Sequence, residues 1–466
     1  MKNIALVVFF LAGFNGLYAQ APILSTSHSQ RETPLAMNPT DPNNLVAAAI
    51  TGTASPLRIG AYYSTNAGQS WSGSDDVVGS GDLTDPVVAF DPDGNAYLLY
   101  QSSNVDLLLK KSSDGGASWG TAANVLHVDS PAGIDKPWFA TSPSRNSSGY
   151  FDMYISVSYS PNSTSQTIKL LRCTDGSNTF TDVTLDSDLF SAGLQQAGSC
   201  VVVGPSNEVL LAWAEVNNSG AVTKIGAARS TNQGSGFGAV THPTVTQIGS
   251  KTGNNYYLKS GNVRVDCFPR VAVDAGSGWR QGYAYLVWAT KTAATNTSDI
   301  MMLRGTITSG LFAWDSQPTA VAQQTDDQWS PAASVSSDGV LSVSYYSSGP
   351  NLIDPIYPRL LYSTDGSTFS SEQALDQNGF SIPDGGPFIG DYNGLVSPFG
   401  KASALWCNYS STNGRQAYFR SISTAQLTGF QSVVLNQLDE SAQSFGKIGY
   451  WNLGHSSNTK REARCR

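Results

Sequence analysis

The chain has 466 residues, a net charge of −8, 13% charged residues, 45 Gly and 20 Tyr. That length allows one large unit or several small domains. Low charge with abundant Gly, Ser, Thr, Asn and aromatic residues fits short strands joined by tight turns, and no long stretch has helical periodicity. The acidic balance excludes a general nucleic-acid binder, which needs a basic stripe, but not an anionic ligand held by a few Arg and Lys side chains.

Residues 1–19 have the pattern of a secretory signal: Lys2, the apolar run Ile4–Leu11 and a cleavage site at Leu17-Tyr18-Ala19. That run is too short to span a bilayer comfortably, so export without membrane insertion is expected. A second pattern then recurs seven times: a polar approach, often Pro, an apolar strand, a turn and a second apolar strand. The copies are anchored at Pro34, Pro86, Pro137, Ser199, Pro269, Pro331 and Asn393. Five copies run on into a related turn: Ser64–Trp71, Ser112–Trp119, Cys173–Phe180, Ser230–Phe237 and Ser363–Phe369. The fullest reads Ser112-x-Asp114-x-Gly116-x-Ser118-Trp119. Asp114 can accept backbone N–H groups two residues on, Gly116 permits positive φ, and Trp119 buries a large ring.

Four antiparallel strands repeated at this interval predict an all-β fold, a single β-propeller over residues 20–455 with seven four-stranded blades and six as the alternative. A run of β-sandwich domains would need about 100 residues each. Pro22–Ser27 or Phe430–Leu435 is expected to supply the strand that closes the ring, and 456–466 reads as a polar tail. The five cysteines lack metal-ligand spacing, and Cys200, Cys267 and Cys407 lie in apolar runs that predict buried free thiols. The four histidines are scattered, so neither a metal nor a cofactor is expected.

Chemistry is expected at the entries to the first strands, which crowd one face of a propeller. They carry Arg31 and Glu32, Asp85, Asp135 with Lys136 and Trp138, Asp266 with Arg270, Asp327 with Trp329, and Asp391 with Tyr392. Carboxyl pairs suit acid–base work on a glycosidic bond, Arg suits a carboxylate, and flat rings suit sugar faces. Asp135, Asp391 and Tyr392 are the catalytic candidates; the other nine are candidates for substrate binding. The plainer alternative has each Asp capping backbone N–H groups and Tyr392 plugging the centre. Longer loops, 238–265 with Arg264 and 120–134 with His127, are candidates for specificity.

The Ser-x-Asp-x-Gly-x-Ser-Trp turns resemble the Asp-box of sialidases and other bacterial-neuraminidase-repeat proteins. The resemblance implies a secreted propeller acting on extracellular glycans, with an Arg trio for the substrate carboxylate, a Tyr–Glu nucleophile and an Asp acid/base. The chain departs from that pattern where Leu57-Arg58-Ile59-Gly60 lacks the family's Pro, and in having seven repeats. The function expected is therefore an exo-glycosidase releasing terminal acidic sugars. The alternatives are a non-catalytic propeller that binds glycan or protein, and a polysaccharide lyase using Tyr392, His127 or Lys136.

Overall fold

The computed structural model describes residues 22–424 except 24–27, 130, 163, 254, 259–262, 295, 309–310, 352–353 and 384–386. The expected signal, the polar tail and Phe430–Leu435 lie outside the described residues. Apart from one 3-10 turn at Ser187–Leu189, the regular structure of the described residues is antiparallel strand.

Among the described residues, seven sheets follow a similar plan. Their first strands are Leu35–Asn38, Leu83–Phe90, Gly133–Arg145, Gln195–Val203, Arg270–Val273, Asp327–Val335 and Gly394–Val396. Each of these inner strands packs against the next, and the seventh packs against the first, so they close a cycle. Antiparallel sheets arrayed in this way form a β-propeller. Within each sheet the chain runs back and forth, so neighbours in sequence pair. Second strands lie between flanking sheets and are buried on both faces. This explains runs such as Leu45–Ile50, buried at every residue, in place of an apolar–polar alternation. The closing edge comes from the N-terminal side: Pro22 bridges Tyr418, and the Ile23 N–H donates to the Ala417 carbonyl at 2.9 Å. An eighth, three-stranded sheet, Ser250–Thr252, Asn255–Leu258 and Val263–Val265, is inserted between the fourth and fifth repeats and has no counterpart among the described residues.

The recurrent turns join third to fourth strands. Ser112 Oγ accepts from the Gly116 N–H at 2.9 Å and donates to Asp114 Oδ1 at 2.7 Å, while Asp114 Oδ1 accepts from the Ser118 N–H at 2.9 Å. The Ser118 hydroxyl, which donates to Asp114 Oδ2, the Ser118 N–H and the Ser112 hydroxyl together hold the Asp114 carboxyl at about 2, below its usual range. Ser64 with Asn66, Ser230 with Asn232 and Ser363 with Asp365 make the same bonds. The turns also lock each sheet to the one before it. Gly115 O accepts from Asn44 Nδ2 of the first sheet at 2.9 Å, and Trp71 packs edge-on to Phe419 of the seventh at 5.4 Å. Gly116 has φ +95, and a Cβ there would lie 2.6 Å from Val46 Cγ2. Gly116→Ala is therefore expected to cost about 1–2 kcal/mol in urea unfolding, through backbone strain and loss of that docking.

The four described cysteines, Cys173, Cys200, Cys267 and Cys407, are buried free thiols, as their apolar surroundings require.

Candidate functional site

The site begins with a backbone irregularity. In the second, third, fourth and sixth sheets the inner strand opens with a register shift, at Thr84/Val87, Asp135/Trp138, Ala197/Cys200 and Trp329/Ala332. The residue inside each bulge is left-handed: Asp85 (φ 50), Lys136 (φ 53), Gly198 (φ 57) and Ser330 (φ 52). Glu32, before the first inner strand, has φ 53. A left-handed non-glycine residue costs about 1–2 kcal/mol, and such strain concentrates at functional sites. Proline directly after three of the bulges suits a position with no ladder bond to donate.

The bulges converge three of these side chains. The Lys136 ammonium meets Asp391 Oδ2 at 2.5 Å, Asp85 Oδ1 at 3.1 Å and Glu32 Oε1 at 3.4 Å. Arg264, carried by the inserted sheet, holds the same Asp391 oxygen at 2.8 Å and lies 4.4 Å over the Phe388 ring. All three carboxylates are buried, Asp391 to 1% side-chain exposure. Burial would lower the Lys136 amine, but Asp391, Asp85 and Glu32 outweigh it and hold the amine well above its usual value. Burial would likewise raise Asp391, yet Lys136 and Arg264 hold it below the ordinary range. Glu32 goes the other way: burial pushes it up to about 8 against the pull of Lys136. Its Oε2 and Asp391 Oδ1 are buried without a hydrogen-bond partner among the described residues.

Asp135 stands beside this cluster with its surface open to water. Exposure alone would leave it an ordinary carboxyl. The protein around it desolvates it, Asp85 and Asp391 add negative charge, and together they raise it to about 6 against Lys136. Asp266 also rises to about 6, first through burial and then through Asp391, while its Oδ1 accepts the Phe268 N–H at 2.9 Å. A cavity of about 590 Å³ opens over the cluster, lined by Arg31, Glu32, Asp85, Asp135, Lys136 and Arg264 among others. The Arg31 and Arg415 guanidinium groups interact, and both are buried. Arg31 donates to the Gly52 carbonyl at 3.0 Å; Arg415 donates to Ser29 Oγ at 2.6 Å and to the Phe388 carbonyl at 2.7 Å. Among the described residues neither has a carboxylate within 4.0 Å.

Tyr392 is a buried plug. Its hydroxyl donates to the Pro86 carbonyl at 2.8 Å, its ring meets Trp138 edge-on at 6.0 Å, and Arg270 lies 4.6 Å over Trp138. Burial raises its phenol well above the usual value, which opposes formation of a phenolate nucleophile. Asp327 and Trp329 depart from the expected role. Asp327 accepts from the Ser298 N–H at 2.8 Å and so ties the sixth sheet to the fifth, while Trp329 is core, 2% exposed and packed on Tyr346. His127 pairs with Asp106 at 2.7 Å on the fourth strand of the second sheet, and Arg359 pairs with Glu372 at 3.1 Å. Neither lines the cavity.

Glu32 sets a pH-dependent cost. The folded value of about 8 exceeds the ordinary 4.5, so the folded chain keeps a proton that the unfolded chain releases. Stability is therefore lost as pH rises from about 4.5 to about 8. Glu32→Gln keeps the neutral shape and is expected to flatten that slope, raising stability at pH 8 by about 3 kcal/mol relative to pH 4.5. Urea unfolding at both pH values reads this out; an unchanged slope would refute it.

No family model and no curated protein matches the sequence. The structure is similar to the leech intramolecular trans-sialidase (11% identity over 69% of this chain and 65% of that one, TM-score 0.47). It is also similar to an α-L-arabinofuranosidase from Fusarium graminearum (10% identity, 88% and 99% covered, TM-score 0.47). A protein of unknown function from Dyadobacter fermentans gives 14% identity, 73% and 97% covered, and a TM-score of 0.44.

Proposed function

We propose that this protein is an exported, seven-bladed propeller with Asp-box turns that hydrolyses terminal acidic sugars of extracellular glycans. The observation that carries this reading is one cavity lined by the carboxyl-bearing residues Asp135 and Asp85 together with Arg31 and Arg264. In it Asp135 is the general acid/base, poised to protonate a leaving oxygen near neutral pH. Arg31, with Arg415 behind it, faces the substrate's carboxylate. Asp85, which lines the same cavity and pairs with Lys136, supplies the second carboxyl that glycoside hydrolysis needs. Asp391 and Lys136 hold the floor rigid, and Tyr392 seals it from below.

A second reading, a glycan binder without turnover, draws on the locked state of Asp391 and Tyr392. Both are spent on internal partners, and neither is free to attack a sugar. Release of fluorophore from sialosides and uronides separates the two. Saturable turnover supports the hydrolase; glycan-array binding without release supports the binder and overturns it.

A further inference from the structure

Beside Trp138 and Arg270, residues of the inner strands line a second cavity of about 180 Å³. Its lining is Pro34, Leu35, Val87, Val88, Trp138, Phe139, Arg270, Val271, Ala332, Ala333, Asn393, Gly394 and Leu395. Only Arg270, Trp138 and Asn393 bring polar side-chain atoms to it. No carboxylate, hydroxyl or imidazole does.

Arg270 is 8% exposed. One of its nitrogens donates to the Pro269 carbonyl at 3.0 Å, but its Nε–H is buried without a partner among the described residues. No described carboxylate lies within the 4.0 Å ion-pair limit of it. The nearest acids are already engaged: Asp391 with Lys136 and Arg264, Asp266 with the Phe268 N–H. The ring faces of Trp138 and Tyr392, 4.6 and 5.9 Å away, soften the charge, and Asp266 and Asp391 act on it from beyond ion-pair distance. The Asn393 amide is engaged with the Tyr346 hydroxyl at 3.0 Å and Ser330 Oγ at 3.5 Å. The charged group left to the cavity is thus the Arg270 guanidinium, with one buried N–H unpartnered among the described residues. A buried charge and a buried donor each need a partner.

We propose that this axial cavity is a binding site for a small inorganic monovalent anion of the halide class, held by the Arg270 guanidinium. The side chains of Leu35, Val87, Val88, Phe139, Val271 and Leu395 around a lone guanidinium favour a small, weakly hydrated anion. The anion holds Arg270 under the two rings, and so the plug that floors the candidate site. It has no part in hydrolysis, so the site stands whether or not the chain is an enzyme.

Crystals of the wild-type chain grown in sodium bromide test the proposal directly. A bromide anomalous peak within hydrogen-bonding reach of Arg270 is the expected result; water alone in the cavity overturns it. In solution, the thermal midpoint should rise saturably with chloride, by about 1–3 °C at 0.2 M, but not with gluconate at equal ionic strength. Arg270→Gln should lose that response while keeping its strand circular dichroism. An equal response to both salts, or an unchanged response in the variant, also overturns the site.

Discussion

Replacing Lys136 with methionine should lower the stability of the propeller by about 3–5 kcal/mol, the range for breaking a buried ion pair from one side. The ammonium is shared by Glu32, Asp85 and Asp391, whose side chains are 3%, 6% and 1% exposed. Arg264 still serves Asp391 in the variant, but nothing else described replaces Lys136 at Asp85. The deficit should depend on pH in a definite direction. In the wild type, Lys136 and Arg264 hold Asp391 below its ordinary value, a contribution present at neutral pH and lost as pH falls through the folded value. Without the ammonium Asp391 and Glu32 titrate higher, so the variant recovers by taking up protons as pH falls. The gap to wild type is therefore widest near pH 8 and narrowest near pH 4. Urea midpoints at the two pH values decide the matter. A deficit below about 1 kcal/mol, or one that widens in acid, would show that the cluster does not tie the sheets. Lys136→Arg is not expected to restore stability, because a planar fork does not fit a cage built around a point charge.

The second large effect concerns Asp135. If the chain is a hydrolase, Asp135→Asn should reduce kcat by about 10²–10⁴-fold on substrates with unactivated leaving groups, the usual contribution of a positioned acid. With an aryl leaving group the loss should be smaller, since little protonation is required. The pH profile carries a sharper signature. A general acid must be protonated, and Asp135 sits at about 6. Activity should therefore fall as pH rises through that value in the wild type, and this limb should vanish in the variant. Urea midpoints within about 1 kcal/mol of wild type would show that the variant stays folded, because Asp135 is exposed and makes no ion pair among the described residues. Retention of activity within about tenfold would move the acid role to another carboxyl, Glu32 first.

Much of the fold is legible along the chain. The seven recurrences that begin at Pro34 and end at Asn393 each open a sheet, and the Ser-x-Asp turns fall between third and fourth strands. The continuous apolar runs mark second strands with a neighbouring sheet on either side. The inserted sheet at Ser250–Val265 was not legible, because its strands are short, half-exposed and part of no repeat. Arg264 looked like one charge in a long loop for the same reason, although it completes the Asp391 cage. Asp327 misled because it also precedes an inner strand. The bulge in that sheet follows it and turns Ser330 inward instead, leaving Asp327 to reach back to Ser298.

The sequence by itself determined what depends on near neighbours: strand alternation with turns, the repeat, buried thiols and the hydrogen-bonded turn at Asp114. Those features arise from sterics and hydrogen bonds within a handful of residues, so they are written locally. The tertiary structure alone decided which charged entries meet. Lys136 reaches Glu32 across 104 residues, and the Tyr392 hydroxyl finds the Pro86 carbonyl across 306. Such contacts exist only once the ring has closed and single-residue bulges have set each side chain's direction. A one-residue register shift turns a side chain to the other face of its sheet, and no composition or spacing in the sequence records it.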